Sequence, residues 1–366
     1  MKIISLFNNK GGVGKSTLAF HLSHMFSEMG YKTLVIDLDP QCNLTICGID
    51  EESLHKIWEE EDDFIEDFES ALKKLSREKY DEFLKSPRTI HFLLKPTEDG
   101  QGELASLPPP VKLRSNLDMI PGRLTIHKFE NKISERWSGS YSGDPLSIRT
   151  ITNIRSIAED YAKLHGYDYV IIDTSPSLGV LNKVIISTVD GFLIPALPDM
   201  FSLYGIRNIG SALKAWKKEF DTLYGLISDD KRKKFPLKFV RFLGYTIYNA
   251  KKYTGVTDWD LALAHFNYAK QIPQTVKQFI SLEVRDHLSE DQTSSPIGGK
   301  AVMHSHNTLP NMAQKYKKPI WDIPDLPNLD PVDVNTIRGN ANTVYRPSKN
   351  AYRQFAESLI ERIKTL

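Results

Sequence analysis

The densest chemistry in the sequence lies in seven residues, Lys10-Gly11-Gly12-Val13-Gly14-Lys15-Ser16, just behind a short apolar run. Three glycines let the backbone turn sharply, so that N–H groups can point inward at phosphate oxygens. A lysine then supplies a cation for the β- and γ-phosphates, and a serine hydroxyl supplies an oxygen for Mg²⁺. The general phosphate-loop pattern is Gly, four residues, then Gly-Lys-Ser/Thr. Gly14-Lys15-Ser16 meets its end, while Asn9 stands where the first glycine belongs. The helix that follows would turn its positive end toward the same phosphates. The expected nucleotide cradle is therefore Gly11, Gly12, Val13, Gly14, Lys15, Ser16 and Thr17, while Lys10 at its start reads by itself equally well as a solvated loop lysine. A chance Gly-rich turn explains it poorly, because Gly-Lys-Ser falls at a strand-to-helix junction.

Acidic residues close two later apolar runs. Val35-Ile36-Asp37-Leu38-Asp39-Pro40-Gln41 carries two carboxylates at spacing two, which point to the same side of an extended chain. Beside a magnesium-phosphate group they could hold the metal's waters and orient an attacking water. Asp39 taken alone also reads as a helix N-cap before Pro40. Tyr169-Val170-Ile171-Ile172-Asp173 puts a third carboxylate at the carboxyl edge of a buried strand, beside the phosphate loop. Asn249 follows a further apolar run, in a position where an Asn commonly serves only as a turn residue. From Lys231 to Lys252 there are eight basic residues and no acidic one, beginning with Lys231, Arg232, Lys233 and Lys234. Such a run suits nucleic-acid phosphates, with strong salt dependence, and equally suits a solvated surface.

With two lysines in its glycine loop, the chain resembles the ParA/MinD family of deviant Walker A P-loop ATPases, in its ParA branch. Ile120-Pro121-Gly122, Ile194-Pro195-Ala196-Leu197-Pro198 and Phe201-Ser202-Leu203-Tyr204-Gly205 fit that branch too. The resemblance spans residues 1–50, about 117–250 and about 316–366, and leaves 51–110 and 255–315 as two insertions without counterpart. It implies ATP and Mg²⁺ as cofactors. It makes Lys10 the signature lysine that reaches the nucleotide held by a partner subunit, with Lys15 and Asp39 completing the catalytic set. Asp39 would position the attacking water. Ser16, Asp37 and Asp173 would serve the metal, and Asn249 would contact the adenine.

The same resemblance implies an ATP-bound homodimer and non-specific DNA binding through Lys231, Arg232, Lys233 and Lys234. It also implies slow hydrolysis stimulated by a partner protein, and a role in partitioning or positioning DNA or another large cargo. The expected location is cytoplasmic and nucleoid-associated, without stable membrane insertion. A MinD-like membrane switch is the alternative. It needs a terminal amphipathic helix, but Tyr352, Phe355, Leu359 and Ile363 read more simply as a core face. A regulatory ATPase switch of another system also remains open. Cluster-bridging relatives use cysteine pairs, and Cys42 and Cys47 stand in the wrong place for that, just after Asp39.

The elements that must hold these residues are legible as alternating strands and helices. Ile3–Phe7 reads as a buried strand. Leu18, Leu22, Met25, Phe26 and Met29 recur at helical spacing before Gly30, and Thr33–Ile36 is a second strand. Further strands are expected at 117–121, 169–172, 191–194, 239–247 and 319–323. Helices are expected around Ile151–Tyr161 and from about Ser348 onward. This order predicts an α/β fold: a doubly wound, mostly parallel sheet with helices on both faces, in one domain carrying the two insertions.

Composition agrees. The chain has 366 residues, 40% hydrophobic and 25% charged, enough to bury a large core. Its 47 Lys+Arg against 46 Asp+Glu leave a net charge of +1, so any nucleic-acid surface must be a local patch. Two cysteines exclude a disulfide scaffold and a four-cysteine metal site. No apolar run is long enough to span a bilayer, and Met1–Phe7 lacks a signal-peptide cleavage site. Both point to a soluble intracellular protein.

Overall fold

The computed structural model describes residues 1–366. The chain opens with β1 (Lys2–Leu6), α1 (Lys15–Glu28) and β2 (Thr33–Asp37). Two helices follow, α2 (Asn43–Gly48) and α3 (Glu51–Glu66), and α4 (Ile90–Glu98) comes after two shorter ones. A hairpin, β3 (Val111–Arg114) and β4 (Leu117–Ile120), leads to α5 (His127–Tyr141) and α6 (Pro145–His165). Then come β5 (Tyr169–Asp173), α7 (Val180–Thr188), β6 (Gly191–Ala196), α8 (Met200–Leu226) and β7 (Arg241–Ile247). Among the remaining helices are α9 (Leu263–Ala269), α10 (Leu309–Tyr316) and α11 (Arg346–Ile363).

The strands form one sheet in the order β3-β4-β2-β5-β1-β6-β7. All neighbouring pairs are parallel except β3 with β4, which meet antiparallel through a turn where Asn116 takes a φ of 60°. Residues alternate between the two faces of each strand. Ile3, Leu34, Ile36, Val170 and Ile172 join the core layer that includes α6, α7 and α8. Ile4, Leu6, Val35 and Ile171 join the layer that includes α1 and α11. Every residue of β2 and β5 is buried, as a strand covered on both faces requires.

Parallel strands place all their carboxyl ends along one edge, and the chain reverses its winding direction there, around β1. In register, Leu6 and Asp37 both stand opposite Asp173. The start of the glycine loop and two of the three acidic strand ends therefore share one level of the sheet.

The segment 319–323 is not a strand. It forms a 3₁₀ helix, Ile320–Asp325. Pro319 caps it and Pro324 lies within it, and prolines cannot donate to a sheet ladder. Instead, Ile320, Trp321 and Ile323 are buried beneath α1, where Ile320 N–H donates to His21 Nε2 at 3.2 Å and Trp321 Nε1 donates to Glu28 at 2.7 Å.

Tyr352, Phe355, Leu359 and Ile363 of the last helix are buried in the core with α1, so that apolar face is occupied within the fold. No helix is long and apolar enough to cross a membrane. The acidic stretch after residue 50 folds as α3 and a short helix. Phe64, Ile65 and Phe68 turn inward there, while most of the carboxylates face water.

Candidate functional site

The glycine loop leaves β1 and enters α1 without a side-chain cap. Gly14, the N-cap, has a left-handed φ of 83°, and Gly12 has a φ of 73°. The first-turn N–H groups of α1 are therefore left without a side-chain partner, as an anion site requires. A Cβ on Gly14 would lie 2.5 Å from the Tyr248 ring, and the Tyr248 hydroxyl is itself bonded to that of Tyr352 at 2.8 Å. Only glycine fits there, on grounds of both space and backbone. Asn8 anchors the loop from behind, donating to Pro195 O at 2.7 Å and accepting from Lys10 N–H at 2.9 Å.

The loop borders a cavity of about 250 Å³. Gly11 to Thr17 line it, together with Asp39, Gln41, Asn43, Cys47 and Pro176. Lys15 is nearly buried, close to Asp173 and Asp39. Burial lowers its pKa, and those carboxylates oppose the shift. Asp173 is fully buried at the end of β5, and neither of its oxygens meets hydrogen-bond geometry with any group. Burial pushes its pKa up to about 8, Asp37 adds to the rise, and the nearby Ser16 and Lys15 moderate it.

Asp37 is placed differently. Its carboxylate accepts from Thr45 N–H at 2.8 Å, from the Thr45 hydroxyl at 2.7 Å and from Asp39 N–H at 3.1 Å. Thr45 Oγ1 in turn accepts from Gly122 N–H at 2.8 Å, which ties α2 to the end of β4. Burial raises the pKa of Asp37 to about 6, against the pull of these bonds. Asp39 lines the cavity and accepts only from Gln41 N–H, at 3.0 Å, so it has lone pairs to spare.

The residues fit a magnesium nucleotide. A buried carboxylate without a donor, a serine hydroxyl beside it and a lysine aimed between carboxylates are a donor set for Mg²⁺ and phosphate together. No group of three or more His, Cys, Asp or Glu side chains is arranged to hold a metal alone.

Lys10 does not line the cavity. Its ammonium pairs with Asp199, the N-cap of α8, and lies 5.7 Å from the Phe201 ring centroid. Asn249 follows β7 at the correct edge, exposed and with a φ of 61°, but it is not part of the cavity wall.

The basic run is divided by β7. Lys231 to Lys234 precede that strand, and Lys251 and Lys252 follow it, about 20 Å further along. Each of the first four already has a partner: Gly143 O for Lys231, Asp229 for Arg232, Asp230 for Lys233 and Glu103 for Lys234.

Sequence reasoning did not assign Gln41, Asn43, Cys47 or Pro176 to the site, although they lie close to its motifs in sequence, and it missed a distant group altogether. Pro310, Asn311 and Gln314 come from α10, within the segment 255–315 that was expected to be an insertion. A signal existed in Pro310 near the start of a helix with an apolar face. Its arrival at the glycine loop depends on tertiary packing against α2, which no local pattern announces.

A family model described as "AAA domain" matches residues 1–223. An uncharacterized protein of Methanocaldococcus jannaschii is 32% identical over 209 residues, 57% of this chain and 63% of its own length. The sporulation initiation inhibitor protein Soj of Bacillus subtilis is 25% identical over 221 residues, 60% of this chain and 68% of its own length. The matches span less than two thirds of several relatives, down to 43% of one. Among solved structures, an ATP complex of Cyanothece McdA shares the fold with a TM-score of 0.56 at 16% identity, covering 98% of this chain and 96% of that one. pNOB8 ParA bound to nonspecific DNA has a TM-score of 0.54 at 18% identity, covering 99% of this chain and 98% of that one.

Proposed function

This chain belongs to the ParA/MinD family of P-loop ATPases, and we propose that it works as an ATP-dependent sandwich dimer that partitions or positions DNA or another large cargo. The observation that carries the reading is the division of labour between the two loop lysines. Lys15 lines the cavity, as a lysine serving its own subunit's nucleotide must, whereas Lys10 stands outside the cavity, paired with Asp199, where on leaving that pair it could act on a nucleotide held by a second subunit.

In this reading the loop amides and Lys15 hold the β- and γ-phosphates, and Asp39 orients the attacking water. Ser16 and Asp173 hold Mg²⁺, which neutralises phosphate charge when bound. Asp37 supports this group indirectly, by fixing α2 and the backbone of Asp39. Asn311 and Gln314 of α10 flank the nucleoside, and Asn249, exposed just past β7, would reach the adenine only from outside the cavity wall. Hydrolysis is slow and is stimulated by a partner protein.

The dimer binds DNA without sequence preference in the cytoplasm, on the nucleoid. The ion pairs that occupy Arg232, Lys233 and Lys234 are solvent-exposed and therefore weak, so DNA phosphates can displace them. Lys251 and Lys252 form no ion pairs and stand past the carboxyl end of β7, on the nucleotide edge of the sheet, as a second basic group.

Light scattering with Mg²⁺ and a non-hydrolysable ATP analogue, followed by gel shifts at several salt concentrations, tests the proposal. Wild type should dimerise and then bind duplex DNA, with a salt slope of roughly −0.9 per phosphate neutralised. Replacing Lys231, Arg232, Lys233 and Lys234 by Ala should flatten that slope. DNA binding that is equal with ATP and ADP would contradict the switch.

A further inference from the structure

We propose that Asp199 is a latch that holds Lys10 inside its own subunit and must release it before two nucleotide-bound subunits can close. The inference rests on the reading of Lys10 as a residue that acts across the dimer, and it adds a regulatory device to that site.

Lys10 and Asp199 are far apart in sequence, and the fold brings them together at the carboxyl edge of the sheet. Their side chains are 22% and 26% exposed, so the pair is shielded from water but not sealed off. The Phe201 ring stands over the lysine and is itself 65% exposed, leaving one side of the pair open toward a second molecule. Asp199 is the one hydrogen-bond and ion-pair partner of the Lys10 ammonium.

Asp199 does a second job. As N-cap of the 27-residue α8, it accepts from Ser202 N–H at 2.9 Å. The amino end of a helix this long carries a positive partial charge, which repels an ammonium. Lys10 can rest there only because the Asp199 carboxylate lies between. Burial works to raise the pKa of Asp199, but Lys10 and the Ser202 N–H outweigh it and hold the carboxyl below its usual range. The carboxylate is therefore charged whenever the latch is closed.

The consequence is a competition. The partner's phosphates must outbid Asp199 for one ammonium, and the free subunit is biased toward the monomer by the strength of that pair. A pair with this exposure gives a bias of roughly two- to threefold, and closing the dimer releases two of them, so the dimer equilibrium is biased by about three- to tenfold. Neutralising Asp199 removes the attraction and leaves the helix end to push Lys10 outward. Asn caps a helix about as well as Asp, so Asp199→Asn keeps α8 intact.

The test uses the full chain with Mg²⁺ and a non-hydrolysable ATP analogue, and reads the dimer dissociation constant by sedimentation equilibrium. Asp199→Asn should tighten the dimer three- to tenfold. It should leave the analogue's affinity for dilute monomer unchanged, since Lys15 holds the subunit's own phosphates. Asp199→Ser, which also caps, should shift the constant the same way. In a Lys10→Ala background, neither substitution should restore a dimer. An unchanged or weaker dimer in Asp199→Asn, with Lys10→Ala still monomeric, overturns the latch alone. A Lys10→Ala protein that dimerises like wild type, or a wild type that forms no analogue-dependent dimer, overturns the trans-acting lysine and the latch with it.

Discussion

Replacing Asp37 by Ala should destabilise the nucleotide-free protein, because the carboxylate is a fully buried acceptor for three donors. The substitution orphans Thr45 N–H, the Thr45 hydroxyl and Asp39 N–H, whose bonds now measure 2.8, 2.7 and 3.1 Å. A buried donor left without a partner costs about 1–3 kcal/mol. Three would cost roughly 3–9 kcal/mol if nothing relaxed. Two effects reduce that figure. Burial already raises the Asp37 pKa to about 6, so holding the charge at neutral pH costs the wild type something that Ala escapes. Water can also enter the vacated space from the adjoining cavity. The net loss should be about 2–4 kcal/mol, a large share of the ~5–15 kcal/mol that holds a typical domain together. Asp37→Asn keeps an acceptor oxygen and should lie within about 1 kcal/mol of wild type. Urea denaturation without nucleotide or magnesium, followed by circular dichroism, measures all three proteins. A direct metal ligand would behave differently: Asp37→Ala would then unfold like wild type and show its defect only as a raised magnesium requirement. That result would refute the assignment of Asp37 as an anchor.

Two further substitutions test other parts of the account. Gly14→Ala places a Cβ 2.5 Å from the Tyr248 ring and forces a left-handed backbone on a residue that resists it. Nucleotide affinity measured by fluorescence titration should fall at least tenfold, and a wild-type affinity would mean that the loop has another shape. Glu61 concerns pH. It is buried and accepts from Thr89 N–H and the Thr89 hydroxyl, both at 2.6 Å. Burial raises its pKa to about 7, while Thr89, Arg123 and Arg88 pull it down. Its folded-state pKa exceeds the unfolded value, so its stabilising contribution is present below about pH 4.5 and is lost as pH rises through 7. Urea midpoints from pH 5 to 8 should fall less steeply in Glu61→Gln than in wild type, and parallel curves would contradict the protonated state.

The parts of the site that the sequence displays are those built from contiguous residues. The glycine loop, Asp39 and Asp173 each sit at the end of an apolar strand, and the parallel sheet then brings strand ends together without further instruction. The fold was legible for the same reason: buried parallel strands are short apolar runs, and helices between them carry a 3.6-residue period. What stayed hidden depends on partners distant in sequence. The role of Asp37 is set by Thr45 and Gly122, which become its neighbours only when α2 docks beside β4. The basic run reads as continuous because no acidic residue interrupts it, but β7 lies between Lys231–Lys234 and Lys251–Lys252 and sets them apart by at least a strand's length. Its neutralising partners Asp229 and Asp230 lie just before it, and Glu103 lies on a distant loop. Apolar residues at 319–323 suggest a strand, yet Pro319 and Pro324 divert them into a 3₁₀ turn under α1.

The most direct measurement is a calorimetric titration of ATP into the full chain, with and without Mg²⁺, for wild type and Lys15→Ala. Lys15 is the cation that lines the cavity between Asp39 and Asp173, and no other lysine reaches that wall. The account predicts one ATP bound per chain, binding strengthened by Mg²⁺, and loss of measurable binding in Lys15→Ala. Equal ATP affinity in the two proteins would place the nucleotide elsewhere and contradict the site.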